Sequence, residues 1–381
     1  MEFSIIGAGG VGQVILAHLA RLGAKVKVGD IDRARLREVG KLPFDNVRAS
    51  KLDASKPEAV RSFIKGADAV INSSDPRFNL LIMKQALRGG VNYIDLAGYP
   101  SEQVKQDSAW KKAGLVAILG MGEDPGLSNV MARRGVDSLD SVTEIRIRDG
   151  ETSTSETYPF VALFAPSVFL EEAVSPARYF ENGEVKTATA MYERELYRFP
   201  DPIGEVPVYG MDHEEVHTLP QYLPKKPRFV DFKLALTDDA ASAIRLFHQL
   251  GLLDRKPVTV GKTKITPLNV LLRLLPAPSQ LAGKIKGNAG ILVEIRGVVS
   301  GEECVHKFYA TLSHEEAYAK YRSNATSYLT GTPTAVCANL LGTGRVENRG
   351  VVVPELLDAA QFIEEARKFE LQVRHEKVRV S

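Results

Sequence analysis

A glycine-rich turn near the N-terminus constrains the fold of this chain more than any other segment. The sequence GAGGVG, residues 7–12, follows the short apolar run EFSII and precedes apolar residues at helical spacing. A second strand pattern, KVKVGD, ends at Asp30, eighteen residues after Gly12. A strand, a glycine turn, a helix and an acid at this distance together predict a Rossmann dinucleotide-binding unit.

The residues of this turn have distinct expected roles. Gly7 permits the tight turn, Gly9 lets the backbone approach a pyrophosphate, and Gly12 lets the helix pack against its strand. Free N–H groups at the start of a helix hold phosphate charge, so Gly10 and Val11 join the predicted cofactor contacts.

The acid after the second strand predicts the choice of cofactor. Asp30, with Ile31 beside it, can accept protons from both ribose hydroxyls and would repel a 2′-phosphate. We therefore expect NAD, and the nearby Arg33 keeps NADP as the less favoured alternative. Asp53 lies either beside the adenine or in an ordinary turn after the third strand.

Strand and helix patterns continue to alternate through the first third of the chain, which predicts a parallel sheet. Ligands bind beyond the carboxyl ends of such strands, so Ser73 and Ser74 are expected near the nicotinamide ribose. Asp95, Tyr99 and Asp124 follow the fifth and sixth strands and are expected in the same crevice. Either aspartate can instead serve only as a cap or turn residue.

The segment GMGEDPGLSN, residues 120–129, predicts a helix that begins inside this crevice. Asp124 is expected at the N-cap and Pro125 at the first helical position. A helix N-terminus attracts a carboxylate. Gly126 would leave room for the ligand, and Asn129 would add a side-chain donor.

The pattern of apolar and polar residues changes from about residue 142 onward. Alternating apolar and polar residues, and a hairpin pattern at 291–300 and 304–312, predict a mainly antiparallel sheet. Near the C-terminus, a helix pattern followed by the strand pattern LQVRHEKV suggests that the chain returns to the first sheet.

These patterns predict an α/β protein with two units. Residues 1–124 and 325–381 would form the doubly wound, parallel Rossmann domain. Residues 125–324 would form an inserted α+β substrate domain with a mainly antiparallel sheet.

Residues 213–217, HEEVH, match the zinc-protease signature HExxH. That motif binds zinc only on a helix, where both histidines share one face. Pro207, Gly210 and Pro220 flank the motif and predict a strand or loop, so no metal site is expected. We expect His213 to be a neutral histidine of the substrate pocket, with an ordinary surface or core histidine as the alternative.

Composition excludes several classes of partner. A net charge of +2 over 381 residues is too small for a nucleic-acid-binding protein. No apolar run is long enough to span a membrane, and the N-terminal strand pattern leaves no room for a signal peptide. Cys304 and Cys337 lie far apart in sequence, as suits a reducing compartment. We therefore expect a cytoplasmic protein that binds a small molecule.

Five segments together resemble the saccharopine dehydrogenase family, and within it the lysine 6-dehydrogenase branch. They are GAGGVG with its following Asp30, GMGEDPGLSN, HEEVHTLP, YLTGTPTAV and GVVVPELL. The glycine motif is generic, whereas the Asp-Pro-Gly and TGTPTA segments are more specific. The resemblance implies a Rossmann domain closed by the C-terminal segment, an inserted substrate and dimerisation domain, a homodimer, and oxidation of an amine with a nicotinamide cofactor.

The main functional hypothesis is NAD-dependent oxidative deamination of a basic amino acid, L-lysine at its 6-amino group. The amine must lose a proton before hydride leaves the adjacent carbon. Asp95, Asp124 or His213 would accept that proton.

Other residues are expected to hold the substrate. Asn129, with Arg322 or Thr332, would bind the α-carboxylate. Tyr99 and Tyr158 would form the pocket wall and exclude water.

Two alternatives stay open at this point. The same chemistry can act on a secondary amine, as in saccharopine, opine or carboxyspermidine-type substrates, and a second cluster of Arg or Lys in the pocket would favour this. The other alternative is an NAD-binding module without catalytic activity.

Overall fold

The computed structural model describes residues 1–98 and 101–379, and in it the chain forms two large β-sheets with helices packed against them. The strands are β1 (Glu2–Ile6), β2 (Lys25–Asp30), β3 (Val47–Lys51), β4 (Ala69–Asn72), β5 (Asn92–Asp95), β6 (Val116–Ile118), β7 (Ser141–Glu151), β8 (Arg178–Glu181), β9 (Glu184–Thr187), β10 (Tyr192–Arg198), β11 (Glu205–Gly210), β12 (Phe229–Ala235), β13 (Val258–Val260), β14 (Thr263–Ile265), β15 (Asn288–Val299), β16 (Glu302–Ser313), β17 (Gly350–Val352) and β18 (Arg374–Arg379). The α-helices are α1 (Gly10–Arg21), α2 (Arg33–Val39), α3 (Pro57–Phe63), α4 (Asn79–Gly89), α5 (Ser101–Val104), α6 (Asp107–Lys112), α7 (Leu127–Asp137), α8 (Pro166–Val174), α9 (Glu215–Tyr222), α10 (Asp238–Gln249), α11 (Pro267–Leu274), α12 (Pro278–Leu281), α13 (His314–Tyr321), α14 (Ala325–Gly342) and α15 (Ala359–Lys368). Short 3-10 helices occupy Pro76–Phe78 and Pro354–Leu356.

The first sheet is parallel and has the predicted Rossmann architecture. Within the described ranges its seven strands lie in the order β17-β6-β5-β4-β1-β2-β3. The strand order reverses at β1 and β4, so a crevice opens beyond their carboxyl ends, where dinucleotides bind in such sheets. The predicted α/β fold class is confirmed.

Helix α14 fills the space over α1 and joins the late part of the chain to the first sheet. It is buried along nearly its whole length, as expected for a helix whose apolar residues lie on every side. A Cβ on Gly331 would lie 2.9 Å from the Val14 Cβ, so the two helices approach closely. In the described part of the chain, no helix is both long and apolar enough to cross a membrane.

The second sheet is mainly antiparallel, as predicted. Its main path through the described residues runs β10-β11-β12-β7-β15-β16-β18, and β12 and β7 form a parallel pair within it. The predicted hairpin is present as β15 and β16, joined at Ser300 and Gly301. One face of β7 and β12 packs against helices α7 and α9, which begin beside the first sheet.

The last strand departs from the prediction. β18 pairs with β16 in the second sheet, so the expectation that it returns to the first sheet is wrong. The return is made earlier, by α14 and by β17, which pairs with β6. The cause is polarity: β18 is exposed along its length and suits a sheet edge, whereas the apolar β17 is largely buried. The domain boundaries at 124/125 and 324/325 stay a prediction.

Candidate active site

The glycine turn after β1 has the geometry of a pyrophosphate cradle. A Cβ on Gly7, whose φ is 110°, would lie 2.6 Å from the Ser73 carbonyl oxygen, and one on Gly12 would lie 2.1 Å from the Gly7 oxygen. These two glycines are therefore required by the fold itself. A Cβ on Gly9 would meet no described atom within 4 Å. The open space at Gly9 fits the predicted approach of a pyrophosphate.

Gly10 has an additional role that the sequence did not indicate. A Cβ there would lie 2.8 Å from the Ser327 hydroxyl oxygen, so its lack of a side chain also permits the contact with α14. Val11 follows it in the first turn of α1 and is partly buried against the main core.

Asp30 ends β2 with a buried carboxylate. It accepts hydrogen bonds from the Ala8 backbone at 2.7 Å and from the Asp32 backbone at 2.8 Å, and thus ties the glycine turn to β2. Ile31 is 62% exposed beside it. The guanidinium near this carboxylate belongs to Arg35, at 3.6 Å, rather than to the predicted Arg33.

The other predicted cofactor residues form hydrogen bonds within the protein, Ser73 and Ser74 after β4 and Asp53 after β3. Ser73 donates to the Ile6 and Gly7 carbonyl oxygens and so holds the end of the glycine turn, while Ser74 donates to the Asn72 side chain. Asp53 accepts from the Ser55 backbone and hydroxyl, which lower the pKa of its carboxyl. The structure favours the ordinary turn for Asp53.

Asp95 is held inside the fold by three hydrogen bonds, and its expected catalytic role stays a prediction. Its carboxylate is fully buried and accepts from the Gly120 backbone at 2.7 Å, the Tyr93 hydroxyl at 2.9 Å and the Gln103 amide at 2.8 Å. Burial raises the pKa of Asp95 to about 7. Because these bonds fasten the turn after β6 to β5, Asp95 positions the site without facing it.

The turn after β6 differs from the predicted cap. Gly126, with a φ of 133°, is the N-cap of α7, and its N–H donates to the Asn129 side chain at 2.8 Å. Because the helix begins at Leu127, the expected N-cap role of Asp124 and the expected first helical position of Pro125 are wrong. A Cβ on Gly126 would lie 2.3 Å from the Gly122 oxygen, so the chain itself requires that glycine. Asp124 is thereby left with its carboxylate outside the cap.

Asn129 is an internal residue and not a substrate donor. It is 1% exposed, and its amide donates to Thr218 at 3.2 Å and to Glu355 at 3.1 Å. Because its donors and its acceptor are already used, the predicted contact with a carboxylate does not fit.

Three more predicted substrate residues lie in surroundings that differ from the prediction: Thr332, Arg322 and Tyr158. Thr332 is fully buried against His18, with its hydroxyl 3.1 Å from Nε2 of that ring. Arg322 is exposed at the end of α13 and lies over the Tyr318 ring.

Tyr158 packs beside a small apolar cluster that contains Leu163 and Leu281. The remaining predicted wall residue, Tyr99, lies outside the described residues.

His213 is the predicted catalytic residue that the structure places in the most functional surroundings. Its Nδ1 donates to the Glu215 carboxylate at 2.5 Å, and its ring stacks on Phe232 with centroids 3.9 Å apart. Glu215 is fully buried and accepts a second hydrogen bond from the Ser128 hydroxyl at 2.6 Å. The neighbouring Glu214 accepts from the Gly98 backbone at 2.6 Å, which connects this segment to the loop after β5.

The surroundings of His213 favour its charged form over the neutral form that the sequence predicts. Burial alone would lower its pKa, but Glu215, Glu214 and Asp124 together hold the pKa well above its usual value. Burial likewise opposes the charge on Glu215, yet His213 and Ser128 keep the pKa of Glu215 below its usual value.

The HEEVH segment does not form a zinc-protease site. Helix α9 begins at Glu215, so the predicted strand or loop is wrong, but His213 lies before the helix and cannot share its face with His217. His217 instead lies 3.2 Å from Asp212. One ligand atom each from His213, Glu214 and Glu215 lies within 4.8 Å of the others, which is the grouping nearest to a metal site in the described residues.

Several carboxyl groups act electrostatically on Asp124 and on one another, and sequence reasoning did not identify most of them. Burial is the main cause of each raised pKa, with repulsion between neighbouring carboxylates adding to it. The pKa rises to about 7 for Asp149 and Glu172 and to about 8 for Glu151, and lies well above its usual value for Glu123 and Asp124. His213 is the group that opposes this repulsion at Asp124, Asp149 and Glu172. We call these five carboxyl groups the acid cluster.

Strand alternation explains how the second sheet supplies two of these acids. Asp149 pairs with Leu234, two residues along β12 from Phe232, so Asp149 and Phe232 lie on the same face of the sheet. Glu151 follows on that face at the end of β7. The sequence carried this signal, since the alternating series Ile145, Ile147, Asp149, Glu151 ends an apolar face in two acids.

A cavity of about 660 Å³ opens beside His213, and Glu172 is the acid-cluster residue found in its described lining. Glu172 of α8 lines it together with His213, Glu214 and His217. This volume accommodates a small organic substrate. The arrangement therefore combines a nucleotide-binding sheet edge, a charged histidine and an unusually acidic wall.

Comparison with known proteins identifies the family. Residues 3–118 match the family model of the saccharopine dehydrogenase NADP binding domain, and residues 122–369 match that of the saccharopine dehydrogenase C-terminal domain. The chain belongs to the saccharopine dehydrogenase family. The family inferred from the sequence motifs is confirmed, whereas its lysine 6-dehydrogenase branch is not, and the chain is an oxidoreductase that binds a nicotinamide dinucleotide.

Similar proteins extend over nearly the whole chain. The carboxynorspermidine synthase of Vibrio alginolyticus is 30% identical over 394 residues, covering 94% of this chain and 93% of that protein. The carboxyaminopropylagmatine dehydrogenase of Synechocystis sp. is 28% identical, with coverage of 94% and 93%. The solved saccharopine dehydrogenase (L-Glu forming) of Saccharomyces cerevisiae has the same fold, with a TM-score of 0.74 at 15% identity and 99% coverage of each chain.

Proposed function

We propose that this protein forms or cleaves the C–N bond of a secondary amine, of the carboxylated polyamine or guanidinoamine type, with a nicotinamide cofactor. The observation that carries the proposal is the His213–Glu215 pair, on which Asp124 acts electrostatically, with His213 lining a cavity that Glu172 and Glu214 also line. Two relatives that match nearly the full length are named for such substrates. They favour the secondary-amine alternative over the deamination of L-lysine.

The charge of the cavity supports a cationic substrate. The acid cluster has five carboxyl groups, and in the described residues the cationic group that acts on Asp124 and Asp149 is the His213 imidazolium. We expected a second cluster of Arg or Lys to mark a secondary-amine substrate. That criterion assumed two amino-acid fragments, whereas a polyamine fragment requires acids instead.

The reaction is proposed in its reductive direction. A primary amine attacks the carbon of an aldehyde to give a carbinolamine, and the departing hydroxyl takes a proton from His213 to leave as water. Glu215 occupies Nδ1 of the ring, which leaves Nε2 for this transfer. When bound, the reduced nicotinamide supplies the hydride that adds to the imine carbon.

Loss of water leaves an iminium ion that keeps its N–H proton, and Asp124 is proposed to give the nitrogen a second proton as the carbon gains hydride, so that the product is a secondary ammonium. Burial, followed by the Asp149 charge, raises the pKa of Asp124 well above its usual value, which favours the protonated carboxyl that this step requires. In the oxidative direction the same group accepts the proton from the amine. Replacing Asp124 with Asn should lower turnover at least tenfold, or about 1.4 kcal/mol.

NAD is proposed as the preferred cofactor because the Asp30 carboxylate would repel a 2′-phosphate. Arg35 beside it is the group that would offset this repulsion for NADP. The homodimer and the cytoplasmic location inferred from the sequence stay predictions, and equilibrium sedimentation of the purified protein would measure the first.

A substrate screen tests the proposed reaction. Carboxylated triamines and guanidinoamines would be supplied with NAD or NADP, and the absorbance of the reduced nicotinamide followed. The proposal expects turnover of at least one such secondary amine without release of ammonia. Turnover of L-lysine with stoichiometric ammonia, and of no secondary amine, would reject it in favour of deamination.

A further inference from the structure

Glu355 belongs to the segment GVVVPELL, residues 350–357, which has no role in the reaction proposed above. The residue lies in the short 3-10 helix that follows β17, and its side chain is fully buried. A carboxyl group is almost never fully buried without partners, because its removal from water is costly. The partners of Glu355 therefore indicate what it does.

Glu355 connects the starts of helices α7 and α9. Asn129, in the first turn of α7, donates one amide hydrogen to Glu355 at 3.1 Å and the other to the Thr218 hydroxyl at 3.2 Å. Thr218 lies on α9 three residues after Glu215, so both side chains lie on one side of that helix. Arg133, further along α7, donates to the Glu355 backbone oxygen at 2.9 Å. The short helix is thus joined to α7 directly and to α9 through Asn129.

The same two helix starts hold the His213–Glu215 pair. Ser128 directly precedes Asn129 and donates to Glu215 at 2.6 Å, and Glu215 accepts from Nδ1 of His213 at 2.5 Å. The Asn129 amide oxygen accepts from the Gly126 backbone at 2.8 Å, so both ends of this amide are fixed. A shift of α9 away from α7 would therefore stretch the contact to Thr218 and the contact to Glu215 together.

The charges around His213 indicate how Glu355 can act on it. Burial lowers the pKa of His213, and the charges that raise it most are those of Glu215, Glu214 and Asp124. Burial raises the pKa of Glu355 to about 7, and the Glu215 charge adds to this rise. Glu355 therefore reaches the ring mainly through the position of Glu215, rather than through its own charge.

We infer that Glu355 is a positioning residue for the proposed proton transfer. Through Asn129 and Thr218 it fixes α9 against α7, and this keeps Glu215 within hydrogen-bond distance of His213. The inference rests on the proposed role of His213 and adds a residue that is distant from it in sequence and does not contact the substrate.

A matched pair of substitutions separates the length of this side chain from its charge. Glu355→Gln keeps the length and an acceptor for Asn129 but removes the charge, whereas Glu355→Asp keeps the charge and withdraws the acceptor by one methylene group. NMR titration of the His213 ring in the full-length protein gives its pKa without any substrate. We expect Glu355→Asp to lower this pKa by about 0.5–1 unit, as for one weakened hydrogen bond, and Glu355→Gln to leave it unchanged.

Turnover provides a second measurement. Glu355→Asp should lower the reductive kcat about three- to tenfold, because a ring that holds its proton less firmly is less often charged. Dinucleotide affinity should stay unchanged, since the hydrogen bonds of Glu355 do not involve the glycine turn. Glu355→Gln should keep the original kcat.

Glu365→Asp is the matched control. Glu365 of α15 is 4% exposed and accepts from the amide of Asn339 at 2.9 Å, but this pair joins α15 to α14. Its shortening should lower stability to a similar extent and leave the pKa of His213 and kcat unchanged. If Glu355→Asp fails to fold, Thr218→Val removes the hydroxyl that Asn129 contacts while keeping the shape, and it should lower the pKa of His213 in the same way.

The outcomes separate this inference from the proposed reaction. A lower His213 pKa in Glu355→Asp or Thr218→Val, with the original value in Glu355→Gln, would support positioning even if no secondary amine is turned over. A lower pKa in Glu355→Gln would assign the effect to charge and overturn the inference. The same pKa in every folded variant would also overturn it and would leave Glu355 as a residue of the fold alone.

Discussion

Replacing Glu215 with Gln should lower the pKa of His213 and shift the pH dependence of catalysis. Gln keeps the size of the side chain and can still accept from Ser128, but it removes the carboxylate 2.5 Å from Nδ1. The variant therefore isolates the charge of Glu215 from its packing.

The magnitude follows from the geometry of the pair. A hydrogen bond between charged groups contributes about 1.5–3 kcal/mol, and an ion pair at about 4 Å contributes about 4 kcal/mol at an effective dielectric constant near 20. Since one pKa unit corresponds to about 1.36 kcal/mol, the pKa of His213 should fall by about 1–3 units. Burial, which already opposes the charge of this ring, acts in the same direction.

The sign of the pH dependence is fixed by this shift. Because folding raises the pKa of His213, the stabilisation from its charge is fully present below its unfolded pKa of about 6.5 and is lost as pH rises through the folded value. The loss of stability in Glu215→Gln should therefore be largest just below pH 6.5 and should decrease at higher pH. Reductive kcat/KM should also begin to fall at a lower pH in the variant.

Two assays measure this effect. NMR titration of the His213 ring gives its pKa directly, and denaturant unfolding at several pH values gives the stability difference. Asp212→Asn is the control, because it removes a carboxylate from the same cavity wall that faces His217. An unchanged His213 pKa in Glu215→Gln would refute the role assigned to this ion pair.

Three further predictions test the cofactor site and the position of Asp95. Gly9→Ala should keep the thermal stability of the protein yet weaken dinucleotide binding. Gly12→Ala should lower the stability itself, because its Cβ would lie 2.1 Å from the Gly7 oxygen. Calorimetric unfolding measures the stability and fluorescence titration measures the binding, and equal behaviour of the two variants would contradict the assignment. Asp95→Asn should cost about 1–3 kcal/mol of unfolding free energy through mismatched buried hydrogen bonds, with turnover of the folded enzyme reduced less than tenfold; a stable but inactive variant would restore its catalytic role. Asp30→Ala should weaken NAD more than NADP in binding titrations, and an unchanged preference would remove the basis for choosing NAD.

Burial by distant parts of the chain accounts for two of the corrections at the site. Asn129 and Thr332 were assigned to the substrate because of their local motifs. Their partners, Glu355 and His18, lie more than 200 residues away in sequence, so neither hydrogen bond could be inferred locally. A local motif is compatible both with a side chain that hydrogen-bonds inside the fold and with one that contacts a ligand, and only the tertiary neighbours decide between the two.

The sequence by itself determined the elements whose signals are local. The strand–glycine–helix unit at residues 1–30 and the antiparallel character of the second sheet follow from short-range spacing and alternation, which act within a few residues. Only the tertiary structure decided that β18 joins the second sheet, because edge pairing depends on which distant strand is free. It also decided that acids from a turn, a strand and a helix face one histidine, since their charges perturb one another only after the two sheets come together.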